Sequence, residues 1–251
     1  MYNVAIRIRL GDTVMVTRLL LIVACGLAFG AARADNNPPP LLSDSDRAVF
    51  EKQIPDAPSA NGADDLRDWD SVLATRDLLK GTRGAEATED NVFPADQSAA
   101  RFQEAAGFPL TRTLEPTLFA LIDQLAADGT KIFDDLKAKS GRKRPFVAHP
   151  DLQTCAGADS LKNSPSYPSG HAFLGMTWAL VLSDVAPDRA AALYDRGVAF
   201  GESRMICGFH YPTDLIAGRL SAILLHQQLS AKLAAQLAAA KSEVAAARQH
   251  H

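Results

Sequence analysis

The amino-acid sequence predicts an all-α fold, a single-domain helical bundle around a central apolar helix. Residues 169–185 are apolar nearly all round, which is typical of a helix buried on every side. Residues 115–141 repeat apolar side chains at helical spacing, and no region shows the convincing alternation of a half-buried strand. The chain has 251 residues, 47% of them hydrophobic, and is therefore long enough to bury one sizeable core.

The first 34 residues are predicted to be a secretory signal peptide and not part of the fold. Arg7, Arg9 and Arg18 precede the apolar run LLLIVACGLAFG, and an A-x-A cleavage sequence ending at Ala34 follows it. The apolar run is shorter than the roughly 20 residues that a membrane span needs. We therefore expect a cleaved leader at residues 1–34 and a mature domain, residues 35–251, that does not bind a membrane.

Two alternatives at this end of the chain stay open. Met15 is a second candidate start, because MVTRLLL alone makes a better basic region before the apolar run. Cys25 fits a lipoprotein cleavage site loosely, and cleavage there would leave a lipid-anchored cysteine instead.

The first part of the mature domain is predicted to be helical after a short extended segment. Residues 35–46 are rich in proline and are expected to be extended. Residues 65–81 place apolar side chains at near-helical spacing up to a terminal glycine. Residues 86–107 are expected to hold one or two short helices broken near Pro94.

A long amphipathic helix and an irregular segment come next. Residues 115–141 line one face with leucine and isoleucine, and Gly141 suits the C-terminal cap. Gly129, in the middle of this stretch, is a candidate break that would split it into two helices. Residues 142–168 form an irregular segment, and long ordered loops are usually functional.

Three helices are predicted after this segment. The central apolar helix at residues 169–185 is followed by a helix that Pro187 begins at a first-turn position. Residues 211–229 form the third helix, and the alanine-rich tail after it, residues 230–251, has high helix propensity.

Two cysteines remain after removal of the leader, Cys155 and Cys207. An even number of cysteines in an exported chain favours a disulfide. A Cys155–Cys207 bond would close a loop of about 50 residues and would stabilise the fold by roughly 3–4 kcal/mol in the chain-entropy model. Two buried free thiols are the alternative.

The composition argues against several kinds of partner. The net charge is −3, from 26 basic and 29 acidic residues, so nothing indicates a nucleic-acid surface. Neither mature cysteine has the spacing of a metal site, and we find no obvious cluster of carboxylates to hold a cation. We therefore expect neither a metal nor another cofactor.

Three clusters of polar residues lie at the borders of the predicted helices. They are Lys137 with Arg144-Pro145, then Pro168-Ser169-Gly170-His171, then Ser203-Arg204 with His210 and Asp214. Converging cations repel one another unless an anion lies between them, and arginine suits phosphate oxygens in particular. Ser169 and Gly170 stand where a helix begins, which is itself an anion site. The alternative is that Asp134, Asp135 or Glu202 pairs with these cations.

The two histidines supply a chemistry that needs no metal. His210 and Asp214 are four residues apart and share one face if helical, so the carboxylate can orient the ring. The free ring nitrogen of His210 can then attack phosphorus, while His171 protonates the leaving oxygen. Taken singly, each of these residues has an ordinary structural explanation, such as a surface pair or a packed histidine.

In combination, these residues resemble the three-part signature of the type 2 phosphatidic acid phosphatase superfamily. The pattern K-x6-RP, PSGH and SR-x5-H-x3-D is complete, and the chain is most similar to the bacterial class A non-specific acid phosphatases. The resemblance implies that His210 is the nucleophile of a phosphohistidine intermediate, Asp214 its orienting partner and His171 the general acid and base. It also implies the residues that bind phosphate, which are Lys137, Arg144, Ser169, Gly170 and Arg204.

The expected activity is a periplasmic, metal-independent acid phosphatase acting on small phosphomonoesters, with transfer of phosphate to alcohols as a second outcome. The resemblance leaves a homodimer open. Two other functions are the alternatives. A vanadium-dependent haloperoxidase would hold vanadate on His210. A phosphate-binding protein without turnover would not need His210, Asp214 and His171 together.

Overall fold

The computed structural model describes residues 40–249, and every regular element in that range is helical. This result confirms the all-α prediction; the expected leader lies outside the described residues. Short 3₁₀ turns occur at Arg76–Lys80, Ala99–Arg101, Ala158–Leu161 and Pro187–Arg189. The α-helices are α1 (Asp44–Glu51), α2 (Ala63–Ala74), α3 (Thr82–Glu89), α4 (Ala95–Ser98), α5 (Gln103–Ala106), α6 (Pro116–Ser140), α7 (Pro145–Ala148), α8 (Gly170–Val185), α9 (Ala190–Ile206) and α10 (Pro212–Gln249).

The predicted apolar helix, α8, lies at the centre of the bundle with α6, α9 and α10 packed around it. Its Trp178 is fully buried and donates from Nε1 to Ser98 Oγ at 2.9 Å. The rings of Phe102 and Phe119 lie 5.8 and 5.5 Å from the Trp178 ring. Burial of such large aromatic side chains supplies much of the hydrophobic free energy of a core. Helix α8 is thus fixed by aromatic packing around Trp178, in the part of the helix that follows its first turn.

Gly129 does not split the long amphipathic helix, so that expectation was wrong. Helix α6 runs without interruption from Pro116 to Ser140 and ends at Gly141, whose φ is +55°. A Cβ atom at Gly129 would lie 2.4 Å from the ring of Phe173 on α8. The glycine is therefore a contact surface that lets two helices approach, and tertiary packing outweighs its helix penalty of about 1 kcal/mol.

The helix predicted at residues 65–81 ends earlier, because α2 stops at Ala74 and a 3₁₀ turn follows. Arg76 lies in that turn, and its guanidinium donates to the carbonyls of Gln153, Met205 and Ile206. Two of these long-range hydrogen bonds go to carbonyls at the end of α9, where a helix runs short of its own backbone donors. Local periodicity could not reveal them.

Helix α10 is one helix of 38 residues that includes the alanine-rich tail. Leu229, Leu233 and Val244 are buried along it, and Glu243 accepts hydrogen bonds from the backbone N–H groups of Thr117 and Leu118. Helices α6 and α10 are therefore antiparallel, with the end of α6 and the start of α10 at the same end of the bundle. Despite its length, α10 is not apolar enough to cross a membrane, and the same holds for the other helices of residues 40–249.

The structure confirms the predicted disulfide between Cys155 and Cys207. Cys207 follows the last turn of α9, and Cys155 belongs to the irregular segment before α8. The backbone N–H of Cys155 also donates to the carbonyl of Cys207 at 3.3 Å. The bond therefore ties the long loop to the chain just before His210.

Replacing both cysteines with serine is expected to lower the free energy of unfolding by about 3–4 kcal/mol. The bond closes a loop spanning 52 residues, and loss of that constraint gives the unfolded chain more conformational freedom. Urea unfolding of the double variant and of the oxidised native protein measures the difference. A control without the cysteine change is the native protein in reductant, which should unfold like the double variant. Equal midpoints for all three samples would contradict the prediction.

Candidate active site

Six of the eight residues predicted from the sequence line one cavity of about 360 Å³. They are Lys137, Arg144, Gly170, His171, Arg204 and His210. The wall is completed by Asp134 and by a mostly apolar group, Phe93, Thr130, Phe133 and Leu161. A wider cleft of about 730 Å³ lies elsewhere along α9, beside Asp195 and Arg196, and contains none of the eight. The two remaining predicted residues, Ser169 and Asp214, lie behind the wall of the smaller cavity.

The His210 ring lies beside the Asp214 carboxylate, as the four-residue spacing predicts. The ring Nδ1 lies 3.3 Å from Asp214 Oδ2, and both side chains are buried. Tyr211 precedes Pro212 at the start of α10, and its N–H donates to the same carboxylate oxygen at 2.9 Å. Asp214 thus satisfies a free N–H of the first turn, as capping residues do, while it faces the imidazole. A proton on Nδ1 leaves Nε2 as the free nitrogen.

Arg144 contacts that free nitrogen directly. Its Nη1 lies 2.9 Å from His210 Nε2 and donates to the Phe209 carbonyl at 3.0 Å, while Nε donates to the Ser164 carbonyl. Burial lowers the pKa of Arg144 to about 10, so the guanidinium stays charged at neutral pH. The contact requires Nε2 to be an acceptor. It agrees with a neutral His210 whose pKa lies well below its usual value through burial and the nearby cations.

Lys137 reaches the cavity from the last turn of α6. Its Nζ donates to the carbonyls of Pro165 and Pro168, at 2.7 and 2.8 Å. Burial, and then the charge of Arg144, lower the pKa of Lys137 to about 7. An anion in the cavity would favour the charged ammonium. The carbonyls of the irregular segment therefore hold the Lys137 side chain in its position at the cavity.

Arg204, at the end of α9, is almost fully buried. Its Nη1 donates to Asn91 Oδ1 at 2.5 Å and its guanidinium lies over the Phe209 ring at 4.5 Å, while Nε has no hydrogen-bond partner among residues 40–249. Burial and the charge of Arg144 lower its pKa to about 9. The neighbouring Ser203 points away from the cavity and donates to Asp90 at 2.6 Å. A buried donor without a partner is costly, and an anion in the cavity would supply an acceptor for it.

His171 lies in the first turn of α8 between two aromatic rings. The ring centroids of Phe93 and Phe200 are 5.3 and 5.8 Å from that of His171. Its Nε2 is buried and has no hydrogen-bond partner in the part of the chain that the structure describes. The pKa of His171 lies well below its usual value, through burial first and then the charge of Arg204. The neutral imidazole is therefore favoured, and negative charge in the cavity would favour its protonation.

Ser169 and Gly170 have different roles at the start of α8. Ser169 is the N-cap, and its Oγ accepts from the Ala172 N–H at 3.3 Å while its own N–H donates to the Asp214 carbonyl. Gly170 lines the cavity, and a Cβ there would stand 3.4 Å from Phe93. A side chain at this position would fill part of the cavity mouth. Ser169 thus joins α8 to α10, and its hydroxyl already has a partner.

The alternative partners for the cations do not form ion pairs with them. Among residues 40–249, no carboxylate lies within 4.0 Å of the charged groups of Lys137, Arg144 or Arg204. Asp135 pairs with Arg47 instead, and Glu202 acts on Arg219. Asp134 lines the cavity but only at a longer range from Lys137. The described part of the chain contains no group of three or more histidine, cysteine or acidic side chains that would hold a metal ion.

Two residues for which the sequence predicted no role lie next to Asp214. Ser166 is fully buried, donates from Oγ to Asp214 Oδ2 at 2.5 Å and lies 3.4 Å from His210 Nδ1. Arg142 donates to the other oxygen of the same carboxylate at 2.7 Å. Arg142 lies two residues before Arg144, and Ser166 lies two residues before Pro168 of PSGH. This proximity to the motifs was the sequence feature that could have predicted their place in the site.

Comparison with known proteins gives consistent matches. The family model described as "PAP2 superfamily" matches residues 118–234. A "Non-specific acid phosphatase" of Providencia stuartii is 37% identical over 149 residues, 58% of this chain and 60% of that protein. An "Acid phosphatase" of Zymomonas mobilis is 36% identical over 169 residues, 66% of this chain and 63% of that protein. The chain thus spans about three fifths of the curated relatives it matches.

The fold has a counterpart among solved structures. A bacterial vanadium-dependent iodoperoxidase superposes with a TM-score of 0.52 and 18% sequence identity, over 77% of this chain and 55% of that one. At this identity the likeness concerns the helical fold alone.

Proposed function

We propose that this chain, which the PAP2 superfamily model matches over residues 118–234 and which is similar to bacterial acid phosphatases, hydrolyses phosphomonoesters through a phosphohistidine on His210. The observation that carries the proposal is the arrangement around the His210 ring. Its Nδ1 faces Asp214, and Arg144 lies against Nε2 in the same cavity as Lys137 and Arg204. A tetrahedral dianion placed there would meet three cations and one nucleophilic nitrogen.

The proposed reaction has two steps. Nε2 of His210 attacks phosphorus, the ester P–O bond breaks, and His171 gives its proton to the departing oxygen. His171 then takes a proton from water, the oxygen of that water attacks phosphorus, and orthophosphate leaves as His210 becomes free. An alcohol in place of water would give a new ester, which is the proposed transferase outcome. Asp214 stabilises the positive charge on His210 in both steps.

The resting pKa values suit an enzyme that works in acid. Burial and neighbouring cations lower the pKa of His171, so its protonation is unfavourable before an anion binds. A phosphate dianion offsets those positive charges, and the pKa of His171 rises towards its usual range. The substrate itself therefore helps to supply the protonated acid, and low pH increases the fraction of enzyme that carries it.

The proposed location is the periplasm, and the pattern of residues 1–34 and the Cys155–Cys207 disulfide support it. Disulfides form and persist in oxidising compartments. Small phosphomonoesters are the proposed partners. Neither a nucleic acid nor a membrane is expected to bind, and a homodimer stays an open proposal.

A substrate panel tests the proposed function. Nucleotides, sugar phosphates, aryl phosphates and pyrophosphate are incubated with the protein at pH 5–7, with and without a chelator. We expect release of orthophosphate from monoesters, unchanged by the chelator. Loss of activity on chelation would overturn the metal-free mechanism. Peroxide-dependent bromide oxidation after vanadate loading, without phosphatase activity, would instead identify a haloperoxidase.

Phe93 is expected to determine the preference for aromatic leaving groups. Its side chain is 40% exposed at the mouth of the cavity and contacts the ring of His171 edge-on. Phe93→Ala should raise the KM for an aryl phosphate by about 5–10-fold, which corresponds to the roughly 1 kcal/mol of an aromatic contact, and should leave glycerol phosphate nearly unchanged. Tyr194→Ala is the matched control, because Tyr194 is equally exposed and does not line the cavity. An equal rise for both substrates would contradict the assignment.

A further inference from the structure

Arg142 lies directly behind the histidine–carboxylate pair. Its side chain is 7% exposed and donates from Nη1 to Asp214 Oδ1 and to Thr213 Oγ1, each at 2.7 Å. From Nη2 it donates to Asp65 and Asp68 of α2, also at 2.7 Å. The guanidinium packs over the Tyr211 ring at 4.1 Å. Arg142 therefore links α2 to the first turn of α10, although it does not reach the cavity.

Asp214 depends on this contact. The carboxylate is fully buried, and its Oδ2 already receives Ser166 and the Tyr211 N–H and faces His210. Within residues 40–249, Arg142 is the arginine or lysine that forms an ion pair with Asp214. A buried carboxylate without a paired cation is strongly unfavourable and tends to take up a proton.

We propose that Arg142 is a positioning residue that keeps Asp214 ionised and turned so that Oδ2 faces His210 Nδ1. The inference rests on the proposed function, because it assigns His210 the attack on phosphorus. A protonated Asp214 would be a hydrogen-bond donor towards Nδ1, which favours the ring proton on Nε2 and would displace the donor contact that Arg144 makes with that nitrogen. A protonated Nε2 has no lone pair with which to attack.

The pH dependence follows from the groups around Asp214. Those in contact with it or acting on it are Arg142, His210, Lys137, Arg144, Tyr167 and Tyr211. Asp65 and Asp68 form ion pairs with Arg142 as well, and their negative charges make the ionised form of Asp214 less favourable. Loss of Arg142 therefore leaves two like charges nearby and removes the contacting cation. The ionised carboxylate of Asp214 is then less favourable, and activity should be lost at a higher pH as the solution is acidified.

The kinetic test compares Arg142→Gln and Arg142→Lys with the native protein on an aryl phosphate. For Arg142→Gln we expect kcat to fall about 10–100-fold with little change in KM, and the acidic limb of the pH profile to move up by about one unit or more. Arg142→Lys should keep the acidic limb of the pH profile at its native position, and its kcat should fall less. Lysine retains the positive charge but lacks the planar guanidinium that binds two carboxylates at once. Arg112→Gln is the control, because Arg112 also bridges two carboxylates, Asp96 and Asp123, at the surface.

A second measurement does not depend on turnover. Nitrogen-15 NMR of histidine-labelled protein reports which ring nitrogen of His210 carries the proton. We expect Nδ1 in the native protein and in Arg142→Lys, and a shift towards Nε2 in folded Arg142→Gln at acidic pH. If Arg142→Gln does not fold, Arg142→Lys decides: a native limb with kcat reduced several-fold supports the inference, and a native kcat overturns it.

The outcomes separate the inference from the proposed function. Absence of phosphatase activity in the native protein would refute the proposed function, whatever the Arg142 variants do. A native enzyme that is active, with an unchanged pH limb and an unchanged His210 tautomer in Arg142→Gln, would refute the role of Arg142 alone. A rise in KM without a fall in kcat would also overturn it, because that result would place Arg142 in substrate binding.

Discussion

His210→Ala is expected to reduce the hydrolysis of every phosphomonoester on the order of 10⁵-fold, because it removes the atom that bonds to phosphorus. The neighbouring cations remain, so the variant should still bind orthophosphate. Rapid quenching with a ³²P-labelled substrate should trap a phosphoenzyme in the native protein and none in the variant. This is the largest effect that the geometry predicts.

A matched control exists for this variant. His226 lies on α10 away from the cavity and pairs with Asp184 at 2.8 Å, so His226→Ala should keep both the native rate and the labelled intermediate. A labelled intermediate that persists in His210→Ala would place the nucleophile on another residue. Loss of orthophosphate binding together with activity would instead indicate that the whole site had collapsed.

His171→Ala should give the second largest effect, and the size of the loss should depend on the leaving group. An alkyl oxygen leaves poorly without a proton, so kcat/KM for an alkyl phosphate should fall about 10³–10⁴-fold. A nitrophenolate needs little help, so its hydrolysis should fall far less. The dephosphorylation step should also slow, because His171 is the proposed base for water.

The dependence on the leaving group separates acid catalysis from damage to the fold. His171 packs between Phe93 and Phe200, and its removal leaves a cavity that affects all substrates alike. A plot of log kcat/KM against the pKa of the leaving group should be steeper for the variant than for the native protein. Parallel lines with a uniform offset would show that His171 is not the acid.

Much of the fold was predictable because the burial pattern is strong and local. Helix α8 is apolar on all sides and α6 has a clear apolar face, so periodicity identified both. The errors arose where distant contacts decide the outcome. The missing side chain of Gly129 admits Phe173, and Arg76 binds carbonyls from another helix, so neither effect is visible in a window of sequence.

The residues that line the cavity were predictable from the sequence, whereas those that support it from behind were not. Lys137, Arg144, His171 and His210 stood out because several motifs together specify charge and spacing, and the structure brings them to one cavity. Their catalytic roles stay predictions until variants are measured. Arg142 and its carboxylate partners on α2 are separated widely in the sequence, and no spacing rule connects them.

The hydrogen bonds between Glu243 and the first turn of α6 give the C-terminal part of α10 a structural role. They lie at the opposite end of the two long antiparallel helices from Lys137 and Asp214. Helices transmit small axial shifts as nearly rigid rods, so this remote attachment helps to set the register of one rod against the other. The alanine-rich tail is therefore a poor place for truncation or for a fused tag, although every signature residue precedes it.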